Sequence, residues 1–390
     1  MSITLTGGNI ISPFREIKGG TLCIENEKIS YVGEENKQVG EVIDVSGLNV
    51  TPGFIDLHIH GGGGHEFWTD DPEEIKKAGL FHAEHGVTSV LPTVGVEGSI
   101  EFTDEMKRNF DAYDKACKDK SVGPELLGIH LEGPYASPEQ PMAGYKVIIP
   151  VKEEEYGKFL DYCPYIVKWT VAPEIPGALD FISAMAKRGV YTSIGHSSAE
   201  YDMVCEAFER GANQMTHLYS GMTMTHRVNG LRYPGLVEAS YLLDDIFVEV
   251  IGNGTHLCGD LLNFVYKNKG AGHMCIVSDG STMTGTPDGP IEYHGRKGFI
   301  ENGVIVKEDR SGFMGSVTTY DKMFYNLLYK AKIPMKDAVR MTSTSPANAI
   351  GLGNRKGKLT VGYDGDVIAF DDDVNIKLVV IKGEVVYNKL

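Results

Sequence analysis

The 390-residue sequence has no CxxC pair, no apolar run long enough to cross a bilayer, and no excess of positive charge. Each absence narrows what the chain can do. Its cysteines (Cys23, Cys117, Cys163, Cys205, Cys258 and Cys275) are scattered, so thiolate metal chemistry is not the organising principle and reduced thiols are expected. The apolar stretch YLLDDIFVEV is interrupted by Asp244 and Asp245, which argues against a membrane span. The opening MSITLTGGNI lacks a basic region followed by an apolar core, so no secretory signal is expected. Lys and Arg number 37 against 53 Asp and Glu, a net charge of −16. That balance disfavours nucleic acid and anionic membranes as partners, and a cytoplasmic protein is expected. An anionic small substrate stays compatible, because a few local cations outweigh the global field at short range.

What is present points to a large packed fold. Hydrophobic residues make up 42% and charged residues 23%, which supports a sizeable core. Residues 1–52 read as short strands and turns (MSITLTGG, GGTLCIEN, EKISYVGEE, GEVIDVSG), and residues 355–390 do the same (GKLTVGYDGDVIAFD, IKLVVIKGEVVYNKL). Neither end makes a good core alone, so the two are expected to pair into one small β-sandwich module. Residues 53–354 behave differently. Eight apolar runs (FIDLHIH, TSVLPT, LLGIHLEGP, IVKWTVAPE, VYTSIGHS, NQMTHLYS, IFVEVIGNGTH and HMCIVSDGS) alternate with helical patterns such as DPEEIKKAGLFHAEHG and ALDFISAMAKRG. This rhythm predicts an α/β fold, a TIM-type (β/α)8 barrel.

In such a barrel, function belongs at the C-terminal ends of the strands. Those ends carry His58, His60, Glu132, His196, His217, His256 and Asp279, each before a loop rich in Gly, Ser or Pro. In FIDLHIHGGGG, strict alternation places Phe54, Asp56, His58 and His60 on one face and Ile55, Leu57 and Ile59 on the other. A lone HxH is equally well a buried strand with satisfied histidines. The other strand ends favour a metal ring. Imidazole and carboxylate without paired thiolates suit Zn²⁺ or Fe²⁺. Glu132 is placed to hold one ion or bridge two. Asp279, after MCIV, is placed as general acid or base, although an Asp before Gly-Ser also suits a helix N-cap. His256 reads as a substrate contact and His130 as barrel packing behind the site. His65, His82, His85, His226, His273 and His294 read as ordinary.

The segments PGFIDLHIHG, GIHLEGP, VAPE, GHS, THLYSGM, VSDG and PANAIGL…KGKLTVGYDGDVIAFD resemble, in order and over nearly the whole chain, the N-acetylglucosamine-6-phosphate deacetylases of the amidohydrolase superfamily. The resemblance implies hydrolysis of the acetamido group of an amino-sugar 6-phosphate, and usually a homodimer. It implies that Glu132, His196 and His217 are the principal metal ligands, that His58 and His60 hold a second ion where both are present, and that Asp279 is the catalytic acid/base. It further implies that His256 contacts substrate and that Arg232, with Arg227 as competitor, binds phosphate.

The departures fall on loops. Tyr145 or Lys146 stands near where a histidine is usual, Ser220 and Gly221 replace Asn and Ala, and Asn253 replaces Asp. They leave open the galacto epimer of the substrate. Two rivals differ in kind. One is a cyclic-amide hydrolase, which usually needs a carboxylated lysine where this chain offers only the early Lys168. The other is a non-catalytic sugar-phosphate binder.

Overall fold

The computed structural model describes residues 2–96, 102–119, 123–140, 150–293 and 295–390. Eight parallel strands form the barrel: β1 (Phe54–Ile59), β2 (Val87–Gly95), β3 (Ile129–Glu132), β4 (Ile166–Val171), β5 (Tyr191–Ile194), β6 (Ala212–Met215), β7 (Phe247–Ile251) and β8 (Met274–Val277). Each pairs with the next in order. β8 returns to β1 through the parallel bridge Ile59–Gly280 and the bond from Asp279 N–H to the His58 carbonyl, 2.9 Å. The ring therefore closes beside the candidate residues.

A helix follows every strand: α1 (Pro72–Ala83), α2 (Asp104–Lys118), α3 (Glu153–Tyr162), α4 (Ala178–Arg188), α5 (Tyr201–Glu209), α6 (Leu236–Leu242), α7 (Gly259–Lys269) and α8 (Tyr320–Tyr325). Local chemistry sets their limits. Asp71 caps α1 by accepting the Glu73 N–H at 2.9 Å ahead of Pro72, and α4 stops at Gly189 with φ 73°. The sequence rhythm does not foresee the four-stranded antiparallel sheet (Gly289–Tyr293, Arg296–Glu301, Val304–Lys307, Phe313–Ser316) inserted between β8 and α8.

Both termini join one eight-stranded sheet. Val367–Phe370 pairs with Asn49–Pro52, which lies parallel to Ser2–Ile11. Ile3, Leu5, Leu22, Ile24, Val50, Val367, Leu378 and Val380 pack there into one core.

Strict alternation fails in β1. Ile55 and Leu57 pack with Leu91, Ile251 and Val277, but Ile59 joins Phe54 in the main core. The ladder with β2 is irregular between Asp56 and Ile59, so a local bulge resets the faces just before the second histidine.

Candidate active site

Four histidine side chains converge on Glu132. His217 Nε2 lies 2.9 Å and His196 Nε2 3.2 Å from its Oε1, while His58 Nε2 lies 3.5 Å and His60 Nε2 3.6 Å from its Oε2. Asp279 Oδ1 closes the ring at 3.3 Å from His60 Nε2 and 3.6 Å from His58 Nε2. These groups come from β1, β3 and the turns after β1, β5, β6 and β8, so the barrel alone brings them together. The cluster has an inner and an outer side. His58 is wholly buried, whereas the side chains of His60 and Asp279 keep 28% and 19% exposure, enough for a small molecule to reach them.

The backbone is bent to make this possible. His196, His217 and Asp279 all have positive φ (48°, 31° and 47°), a region costly for non-glycine residues and concentrated at functional sites. The VAPE segment supports one of these turns. Glu174 accepts from Ser197 Oγ at 2.7 Å and from the Ser198 N–H at 2.6 Å, clamping the loop behind His196. The glycines after HIH serve close approach: a Cβ on Gly62 would stand 2.2 Å from His82 Nε2, which bonds the Gly61 carbonyl at 2.9 Å.

A polar layer underlies the cluster. His130 Nδ1 lies 3.0 Å from Thr93 Oγ1 and its Nε2 2.8 Å from Thr170 Oγ1, so both ring nitrogens are occupied. Burial, with Lys168 next, holds its pKa well below the ordinary value, and the ring stays neutral. Sequence reading overlooks Glu249. This acid of β7 is fully buried, pairs with Lys168 and reaches His58 Nδ1 at 3.3 Å. An acid alternating with valines in FVEVI is the available signal.

The electrostatics favour a cation. Burial opposes charge on His58, yet Glu132, Glu249 and Asp279 push its pKa up to about 10. Burial raises Asp279, but the His60 hydrogen bond and the charges of His58, His60 and His217 bring it down to about 2. Glu132 is likewise driven well below its ordinary value against its burial, by His58, His196 and His217. Carboxylates held ionised beside imidazole nitrogens are the donor set that a divalent ion takes, in place of the imidazole protons. Two triads have the necessary proximity, His58–His60–Glu132 and Glu132–His196–His217, with donor atoms within 4.8 Å. The donors fit as well: His58 Nε2 is buried and has no hydrogen-bond partner among the described residues, although it faces two carboxylates.

The remaining expected residues lie further out. His256 Nδ1 accepts from Asn253 Nδ2 at 2.8 Å; burial lowers its pKa, and Asp279 and His217 both act on it. Ser220 and Gly221 line the turn after His217, with the Gly221 carbonyl accepting from the Ser197 N–H at 3.1 Å. Arg227 and Arg232 are exposed cross-strand partners on a hairpin, His226–Val228 with Leu231–Tyr233, and no contact among the described residues brings either to the cluster. Tyr145 and Lys146 lie outside the described residues.

An eight-stranded α/β barrel with histidine and carboxylate donors at its strand ends defines a class of hydrolases, and the chain belongs to the amidohydrolase family, whose model matches residues 49–386. Within that class it stands among amino-sugar phosphate deacetylases. It is 32% identical to the N-acetylglucosamine-6-phosphate deacetylase of Caenorhabditis elegans over 373 residues, 90% of this chain and 86% of the relative. It is 28% identical to the N-acetylgalactosamine-6-phosphate deacetylase of Escherichia coli O157:H7, covering 85% and 86%. Among solved structures, a Mycobacterium smegmatis N-acetyl-D-glucosamine-6-phosphate deacetylase mutant in complex with N-acetyl-D-glucosamine-6-phosphate superposes with a TM-score of 0.88 at 26% identity, over 99% of this chain and 100% of that one.

Proposed function

We propose that the protein is a divalent-metal-dependent hydrolase that removes the N-acetyl group of N-acetylglucosamine 6-phosphate, giving glucosamine 6-phosphate and acetate. The observation that carries this reading is the placement of Asp279 on the accessible side of the Glu132 ring, 3.3 Å from His60 Nε2. Glu132, His196 and His217 would hold one Zn²⁺ or Fe²⁺, and His58 and His60, with Glu132, a second. Such an ion supplies Lewis acidity toward water and the amide carbonyl.

Asp279 then does the proton work. As a carboxylate it takes a proton from the attacking water as the C–O bond forms. It returns that proton to the nitrogen as the C–N bond breaks, so that the amine leaves neutral. His256 donates from Nε2 to a substrate oxygen. Arg232 or Arg227 holds the phosphate, within the same chain or across a homodimer, and Ser220 and Gly221 shape the sugar pocket. Six free cysteines are consistent with a cytoplasmic setting.

The galacto epimer is the second reading, favoured by the Escherichia coli relative and by the changed loop residues. Amine release from the gluco and galacto 6-phosphates and both unphosphorylated sugars separates the two. Release is expected from the gluco phosphate, to vanish on chelation and to return with Zn²⁺ or Fe²⁺. Asp279→Asn should lower kcat by about 10²–10⁴ while metal content is retained, the scale of a lost general acid–base group. Wild-type turnover in that variant would remove Asp279 from the mechanism.

A further inference from the structure

We infer that Glu249, neutralised by Lys168, is a positioning residue that orients His58 as a ligand and thereby sets the cation affinity of the His58–His60–Glu132 position. The inference rests on the reading that this cluster binds a divalent ion. It goes beyond that reading by assigning a task to a buried ion pair that the chemistry above leaves unused.

Lys168, Glu249 and His58 belong to β4, β7 and β1, which are not neighbours in the ring, so the three meet across the barrel interior. All three side chains have zero exposure. Lys168 Nζ donates to Glu249 Oε1, and Glu249 Oε2 stands 3.3 Å from His58 Nδ1. An ionised carboxylate only accepts, so the one proton that a neutral, ligating His58 keeps sits on Nδ1. That fixes the tautomer. Nε2 is left pointing at Glu132 Oε2 (3.5 Å) and Asp279 Oδ1 (3.6 Å), buried and without a hydrogen bond. A histidine ligand oriented by a carboxylate on its other nitrogen is the arrangement that raises ligand basicity.

Stability is a poor reason for keeping the pair. Replacing a buried ion pair by apolar groups of similar volume is often neutral or stabilising. Lys168 has a definite part in the arrangement. It balances the charge of Glu249 and holds Oε1, so that this carboxylate stays behind His58 instead of turning toward the ion.

The test titrates metal-free protein with Zn²⁺ against a competing chelator. K168M/E249L should melt as a folded protein, yet bind one equivalent of Zn²⁺ about tenfold or more weakly, the usual effect of losing such an outer partner. A wild-type isotherm in the folded double variant overturns the assignment. Should that variant not fold, E249Q keeps the shape and an acceptor oxygen but not the charge. It is expected to weaken the same equivalent by about threefold or more, and an unchanged isotherm again overturns the proposal. A readout independent of variants is the ¹⁵N spectrum of His58 in Zn²⁺-loaded wild type: a protonated Nδ1 is expected, and a bare or metal-bound Nδ1 refutes it. Absence of Zn²⁺ uptake by the wild type is a separate outcome, which removes the cation reading and this inference with it.

Discussion

Asn253 sets where the proton of its neighbour sits. Its Oδ1 accepts the N–H groups of Thr255 (3.0 Å) and His256 (2.9 Å), which fixes the amide orientation. Its Nδ2 therefore donates to His256 Nδ1 at 2.8 Å and to Ser316 Oγ at 3.3 Å. His256 then keeps its proton on Nε2, and burial lowers its pKa below 6.5, so it is a neutral donor near pH 7. An aspartate here would accept from Nδ1 and favour the imidazolium, raising the pKa. Asn253→Asp should consequently make substrate binding pH-dependent. The charged form lies below the raised pKa and donates more strongly to the substrate oxygen; it is lost as pH rises through that value. KM for the sugar phosphate is expected to climb several-fold from pH 6 to pH 8 in the variant, beyond any change in the wild type. A pH dependence matching the wild type would show that His256 does not contact the substrate.

The strand ends, rather than the strands, carry the site's special geometry. His196 and His217 both turn through positive φ, and Gly221 (φ 57°) packs against the first of them: a Cβ there would stand 2.7 Å from His196 Nδ1. Gly221→Ala is thus doubly costly, in backbone conformation and in displacement of a candidate ligand. It should lower Zn²⁺ affinity and kcat/KM together, by about tenfold if the ring must move. Equal affinity with reduced activity would instead place the effect on the sugar. The elements themselves are legible in the sequence, because apolar runs of strand length alternate with capped helical patterns throughout the barrel. HLE is legible for a related reason: alternation aims every second side chain inward. The bulge in β1 is not, since pairing with β2 decides it. Nor is Glu249, whose lysine partner lies 81 residues away and which reads as an ordinary solvated acid until the barrel buries both faces of its strand.

At the scale of the whole molecule, one charged network ties the barrel to the segment that leads into the C-terminal strands. Glu125, paired alongside β2, binds Arg355 through both oxygens (2.8 and 3.1 Å) and Lys356 at 2.7 Å. Lys356, 1% exposed, also reaches Asp366 at 2.5 Å and Asp364 at 3.3 Å, and Lys28 from the N-terminal strands joins at Asp364. These acids could form a cation site by proximity alone, but Lys356 and Arg355 already supply its charge. The network makes stability depend on acid in a defined direction. Burial opposes the Glu125 charge, but Arg355, Lys356 and Lys382 bring its pKa down from 4.5 to about 2. A depressed carboxylate contributes fully above its unfolded pKa, and the contribution disappears as pH falls through the folded one. The relevant window is therefore pH 4.5 down to 2, with up to about 3 kcal/mol at stake. Glu125→Gln should lower the melting temperature at pH 7 by at least about 3 °C, because it leaves Lys356 buried with one carboxylate fewer. The same substitution should flatten the fall in melting temperature between pH 4.5 and the lowest pH at which the fold persists, since the variant has no proton to take up there. If both proteins instead lost stability with parallel slopes, the acid sensitivity would belong to other depressed carboxylates, among them Asp364 of the same network and the Glu132–Asp279 cluster.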